Sequence, residues 1–186
     1  DGVKATSWLF VGRLTSEKGL LDLLQIWPSG VRLQVAGNGP EHAASEATVR
    51  ERNLDIKFLG ALSRQEIIEL LHGSVGLVFP SKALEGAPLI YGEALGSGLP
   101  ILAAEGSTLA TQVVLDRTGS TFRLGDSESL IAAMNRVNLQ RDTMSAHARN
   151  IFLDRYAPEI WVKKIAAIYD NAIEAHKRLS ENMGGR

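Results

Sequence analysis

Glu85 and Glu93 stand on either side of a proline in Pro80-Ser-Lys-Ala-Leu-Glu-Gly-Ala-Pro88-Leu-Ile-Tyr-Gly-Glu-Ala-Leu-Gly-Ser-Gly98-Leu-Pro100. An apolar run, Val75 to Phe79, stops at Pro80. A turn-rich loop carries Glu85, and a helix-like segment then opens at Pro88 with Glu93 one or two turns in. Proline suits a first helical position, because its missing N–H would be unpaired there and its φ is already helical. The amides of Leu89 and Ile90 then lie outside the helical ladder, at the positive end of the helix, where a phosphate is favoured. Carboxylates repel a bare diphosphate but accept hydrogen bonds from hydroxyls. The ligand that satisfies both features is a phosphate flanked by polyols, such as a nucleotide sugar. Taken alone, the two acids read equally well as solvated surface residues.

Cations fall where the same ligand could use them. The first apolar run ends in Phe10-Val-Gly12-Arg13-Leu-Thr-Ser-Glu17-Lys18-Gly19, so Arg13 and Lys18 lie just past a strand exit, with Gly12 allowing a tight turn. Arginine offers a planar fork to phosphate oxygens and lysine a point charge; by themselves the two also fit a solvated loop. The second run ends in Gly37-Asn-Gly39-Pro40, which matches a dinucleotide fingerprint only in its first two glycines and reads as a turn into a helix opened by Pro40. The third ends in Phe58-Leu-Gly60-Ala-Leu62, a loop whose backbone could reach a base.

These residues need a scaffold, and the chain supplies its pattern. Apolar runs at Trp8–Val11, Val31–Ala36, Ile56–Leu59, Val75–Phe79, Ile101–Ala104 and, more weakly, Thr121–Leu124 predict strands buried on both faces. Helical segments are expected between them at Gly19–Trp27, Pro40–Arg52, Arg64–His72, Pro88–Gly96, Thr108–Leu115 and Ser127–Leu139. Ser63 with Glu66 has capping-box spacing, and Asp126 stands as an N-cap. Alternation of this kind predicts an α/β fold, a Rossmann-like doubly wound parallel sheet of about six strands flanked by helices, with ligands at the carboxyl ends of the strands. Ile160, Trp161, Ile165, Ile168, Tyr169 and Ile173 mark one apolar face of a last helix, and a polar tail from Lys177 is expected to fray.

Composition narrows the class. The 186 residues, 45% hydrophobic and 22% charged, fit one globular domain, assigned to residues 1–176. A net charge of −1 gives no electrostatic case for nucleic acid or an anionic membrane. The lack of cysteine removes disulfides and thiolate metal sites and agrees with a cytoplasmic protein, and the four histidines show no metal-ligand spacing. No apolar run approaches the roughly 20 residues that span a bilayer. The chain opens without Met and enters its first apolar run within a few residues, which predicts a piece of a longer protein.

Phe10-Val-Gly-Arg13, Glu17-Lys-Gly19, Val35-Ala-Gly-Asn-Gly-Pro40, Phe58-Leu-Gly60, Phe79-Pro-Ser81 and Glu85…Glu93-Ala-Leu-Gly-Ser-Gly-Leu-Pro100 occur in that order. Together, from about Trp8 to Tyr169, they resemble the C-terminal, donor-binding half of a family 4 glycosyltransferase of the GT-B fold. The resemblance implies a retaining, metal-independent hexosyl transfer from a nucleotide sugar, UDP- or GDP-linked, with no cofactor. It implies catalytic roles for Arg13, Lys18 and Glu85: the cations on the donor diphosphate, Glu85 on hydroxyls of the transferred sugar. Glu93 would hold the ribose hydroxyls, the segment Gly86, Ala87, Leu89 and Ile90 would bind sugar or phosphate, Gly12 would line the donor site, and backbone near Leu62 would meet the base. The acceptor would lie on a missing N-terminal domain, toward which the last helix crosses; this half alone is expected to bind donor weakly and transfer nothing.

Two departures from the family pattern stand out. Pro88 occupies a position where many members have glycine, and Gly106-Ser107 with Gln112 replaces a Gly-Gly pair and a glutamate. Two other readings remain open at this stage, a nucleotide-sugar epimerase on the same architecture and a binding module without catalysis.

Overall fold

The computed structural model describes residues 6–83 and 88–184, with side chains to 176. Six strands form one sheet, all parallel, in the order β3-β2-β1-β4-β5-β6: β1 Trp8–Val11, β2 Leu33–Ala36, β3 Ile56–Gly60, β4 Leu77–Phe79, β5 Ile101–Ala104 and β6 Gly119–Phe122. Strand numbering runs outward in both directions from the β1–β4 pair, joined at Leu9 opposite Leu77. A doubly wound sheet opens its ligand crevice at that reversal.

Period-two side-chain alternation places apolar residues on both faces. Trp8, Phe10, Val78, Leu102 and Ala104 point to one core, joined by Leu20, Leu23 and Leu24 of α1 (Leu20–Ile26) and by Leu130, Met134 and Val137 of α6 (Ser127–Ile151). Partly buried Val49 of α2 (His42–Glu51) packs on the same side. Leu9, Leu77, Phe79, Ile101 and Ala103 point to the other core, against α3 (Arg64–Gly73), α4 (Leu89–Gly96) and α5 (Thr108–Leu115). The expected α/β fold class is therefore what the chain adopts, with α3, α4 and α5 covering one face and α1, α2 and α6 the other.

Local chemistry sets most boundaries. The Ser63 Oγ and Glu66 carboxylate close a capping box at α3, and the Asp126 carboxylate accepts from the Ser129 amide at 2.9 Å to open α6. Hydrogen bonds from Ser63 and from the Ser129 amide hold the Glu66 and Asp126 carboxyls, respectively, below their ordinary range. Helix α4 ends in a Schellman motif: Leu99 N–H bonds Ala94 O at 2.8 Å and Gly98 N–H bonds Leu95 O at 3.0 Å, with Gly98 left-handed at φ +65°.

Some boundaries differ from those the sequence predicts. Strand β6 begins at Gly119, earlier than expected, because a Cβ there would stand 1.8 Å from Ile101 O and only glycine admits the close pairing with β5. Helix α2 starts at His42 rather than Pro40, after a turn in which Glu41 N–H bonds Leu14 O and His42 N–H bonds Gly39 O. Helix α6 continues beyond Leu139 through a kink at Gln140 (φ −115°) to Ile151 and passes into a π-helical turn, Phe152–Tyr156. The last helix, α7 (Pro158–Gly184), runs past Lys177, where the sequence reads as a polar tail.

Asp116, just after α5, has a side chain only 4% exposed. It accepts hydrogen bonds from Arg155 Nη1 at 2.9 Å, Tyr91 Oη at 3.4 Å and the Gln112 amide. This network ties α4 and α5 to the π turn, and burial pushes the Tyr91 phenol well above its ordinary pKa. Asp116→Asn removes the charge and leaves half-buried donors poorly paired, so urea unfolding is expected to show a loss of about 1–2 kcal/mol.

Candidate functional site

The site is built on backbone that approaches backbone. The β1 exit is held by the β2 exit: Gly12 N–H bonds Ala36 O, Leu14 N–H bonds Asn38 O and Glu41 N–H bonds Leu14 O, each at 3.0 Å. Gly37, at φ +134°, leaves room where a Cβ would lie 1.9 Å from Gly12 O, and a Cβ at Gly39 would lie 2.4 Å from Leu14 O. The partial fingerprint at 37–39 thus acts as a buttress for the loop that bears Arg13.

The β4 exit is held in the same way. After a 3-10 turn, Ser16–Lys18, Gly19 adopts φ +71°, and a Cβ on it would stand 2.3 Å from Pro80 O. Lys82 N–H and Ser81 Oγ both donate to Glu17 O, at 2.8 and 3.3 Å, and the Lys82 ammonium pairs with Asp22 of α1 at 2.6 Å. The two loops at the strand-order reversal therefore form one floor.

Above this floor lies a cleft of about 620 Å³, walled by α3 and the start of α4. Gly12, Arg13, Lys18, Leu89, Ile90 and Glu93, all candidates from sequence, line it together with Pro80, Ser81, Pro88 and Arg64. Among the described residues lining it, Arg13, Lys18 and Arg64 are cationic and Glu93 is anionic, a balance suited to a ligand with more than one negative charge. Arg13 keeps its side chain 75% exposed and makes a 3.3 Å contact with Glu17, so its guanidinium fork can turn to a ligand at the cost of one exposed ion pair.

Pro88 differs from its expected place. With ψ 122° it is the N-cap of α4 rather than its first helical residue, and its carbonyl accepts from the Tyr91 amide at 3.0 Å. The consequence for ligand binding is unchanged, because the amides of Leu89 and Ile90 still precede the helix's own ladder at its positive end. Glu93, a turn further in, has a side chain 23% exposed. Leu62 is half-buried beyond β3 and is not among the described residues lining the cleft. Glu85, Gly86 and Ala87 lie outside the described residues.

Sequence reading missed Arg64. It stands at the first position of α3, and its Nε lies 3.3 Å from Glu93 Oε1. The available signal was its place on the ligand side of the sheet, directly after the β3 exit; its approach to α4 depends on how α3 and α4 pack. At Gly92 a Cβ would meet nothing within 4 Å, so neither packing nor a neighbouring backbone demands that glycine.

A strand-order reversal with cations and a helix N-terminus at one cleft defines a Rossmann-like domain whose crevice has a lining suited to an anion. Residues 4–152 match the family described as Glycosyl transferases group 1, and the chain belongs to that family. It is 30% identical over 137 residues to a glycogen synthase of Mycobacterium tuberculosis, covering 69% of this chain and 33% of that protein. It is 26% identical over 162 residues to the amylovoran biosynthesis glycosyltransferase AmsD of Erwinia amylovora, covering 84% and 46%. The chain thus spans about a third to a half of the length of these curated relatives. Its fold is similar to that of Anabaena Alr3699/HepE, solved in complex with UDP, with a TM-score of 0.78 and 21% identity over 90% of this chain and 49% of that one. Among the described residues no helix is long and apolar enough to cross a membrane.

Proposed function

We propose that this chain is the donor-binding, C-terminal half of a retaining, metal-independent family 4 glycosyltransferase of the GT-B fold, which transfers a hexosyl group from a nucleotide sugar. The observation that carries the reading is that Arg13, Lys18, Glu93 and the first amides of α4 share one cleft at the β1–β4 reversal. A helix N-terminus and two cations suit a diphosphate, and a carboxylate beside them suits sugar hydroxyls. The UDP in the Anabaena structure agrees with such a donor.

In this reading Arg13 and Lys18 hold the donor diphosphate. As the glycosidic bond breaks, negative charge grows on the departing nucleoside diphosphate, and fixed cations favour that state over the ground state. The α4 amides add a partial positive charge that needs no reorganisation. Glu93 takes ribose hydroxyls, and Glu85 takes hydroxyls of the transferred sugar.

The acceptor would sit on another part of a longer protein. Helix α7 supports this: Trp161, Val162, Ile168, Tyr169 and Ile173 are each more than half exposed, at 59%, 58%, 61%, 66% and 53%. The direct test incubates the full-length enzyme with UDP- and GDP-hexoses and follows release of nucleoside diphosphate and the anomeric configuration of the product. Acceptor-dependent transfer with retention is expected, and Arg13→Ala or Lys18→Ala should each lower kcat/KM by about 100-fold, the scale of losing one transition-state charge contact. Conversion of the sugar without any acceptor would point to an epimerase instead.

A further inference from the structure

The ion pair between Arg64 and Glu93 crosses from α3 to α4 at the edge of the donor cleft. Both residues, with Pro88 and Leu89, also line a second cleft of about 690 Å³ on the far side of α4, so the pair forms part of the wall between the two. Glu93 could therefore present its carboxylate to either side. Among the described residues the carboxylate pairs with Arg64, through Oε1, which leaves Oε2 as an acceptor.

Arg64 is not held for the sake of the helix. The α3 N-terminus is already closed by Ser63 and Glu66, with the Ser63 amide donating to Glu66 Oε2 at 2.8 Å. The Arg64 side chain is 81% exposed, so its pair adds little to folding. A solvated arginine that reaches across to the carboxylate lining the cleft acts on the direction in which that carboxylate faces.

We infer that Arg64 is a positioning residue for the nucleotide, orienting Glu93 toward the ribose hydroxyls of a bound nucleoside diphosphate. This rests on the assignment of the cleft as a nucleotide site. The chemistry recognised is a vicinal diol next to a phosphate, so the effect of Arg64 depends on the diol being present.

Calorimetric titrations of this chain with UDP and 2′,3′-dideoxy-UDP, and with the corresponding guanosine pair, test the inference. Arg64→Ala is expected to weaken the hydroxyl-bearing nucleotide about fivefold, the scale of an exposed ion pair, while moving the dideoxy analogue by less than about twofold. Arg64→Lys should recover part of the loss, and in a Glu93→Ala background Arg64→Ala should change nothing further. Equal weakening of both nucleotides would make Arg64 a phosphate contact, and tighter binding would make it a block on Glu93; either result, or no change, overturns the inference alone. Failure of the parent chain to bind any of the four nucleotides would overturn the cleft assignment and the inference together.

Discussion

Gly37→Ala is expected to destabilise the domain by about 3–5 kcal/mol, through left-handed strain and overpacking combined. At φ +134° the backbone is in a region that L side chains rarely adopt, and the new Cβ would lie 1.9 Å from Gly12 O and 2.9 Å from Gly12 C. Both near atoms are backbone, so no rotamer change relieves the contact. The β1 exit must move, and with it Arg13, whose loop is tied to Asn38 through the Leu14 amide. A domain of this size should lose roughly 10 °C in Tm. Gly92→Ala is the matched control: it lies inside α4 with open space around a Cβ, and alanine there should be neutral or stabilising by up to about 1 kcal/mol. Thermal unfolding of both variants decides it, and a Gly37→Ala chain that melts with the parent would show that the two strand-exit loops are not clamped as described.

Glu93→Ala is expected to weaken nucleoside diphosphate binding by about 10- to 100-fold, because hydrogen bonds from hydroxyls to a charged acceptor contribute about 1.5–3 kcal/mol. Its effect on folding should be small. The carboxylate pairs with an arginine that is 81% exposed, and such pairs contribute about 0–1 kcal/mol. Binding and stability thus separate in this variant, whereas Gly37→Ala changes both. Isothermal titration beside a urea melt reads the two quantities. Parent-like affinity in a folded Glu93→Ala chain would remove Glu93 from the site.

Much of the fold is legible in the sequence. Strands β1 and β5 and helix α5 occupy the residues their apolar runs predict, because both faces of each strand are buried and the period leaves no ambiguity. The caps at Ser63 and Asp126 were legible because a side chain and an amide three residues apart suffice to make them. What the sequence concealed depends on tertiary approach. Gly119 has poor strand propensity, yet it is the residue that lets β6 lie against β5. Exposed Leu139 and the non-helical Gln140 interrupt the periodicity of α6, although the helix resumes and carries Met144 and Ala148 into the cores. Pro88 fits either the cap or the first turn by its φ alone, and its ψ decided for the cap.

The candidate site divides in the same way. Arg13, Lys18 and Glu93 could be named because strand exits and helix starts are local signals. Arg64 could not, since its approach to Glu93 depends on how α3 and α4 pack. The glycines at 37 and 39 were visible as a motif, but their purpose, backbone contact with the β1 exit, appears only when β1 and β2 are seen as neighbours.

The central claim is that the cleft at the β1–β4 reversal recognises the diphosphate of a nucleotide. Titrating this chain calorimetrically with UDP, GDP and ADP, and in parallel with uridine, guanosine and adenosine, tests it most directly. One diphosphate is expected to bind with a dissociation constant on the order of 0.1 mM, about −5.5 kcal/mol, with its nucleoside at least roughly tenfold weaker and the difference shrinking as salt screens Arg13 and Lys18. A nucleoside that binds as tightly as its diphosphate, or a chain that binds none of the six, would contradict it.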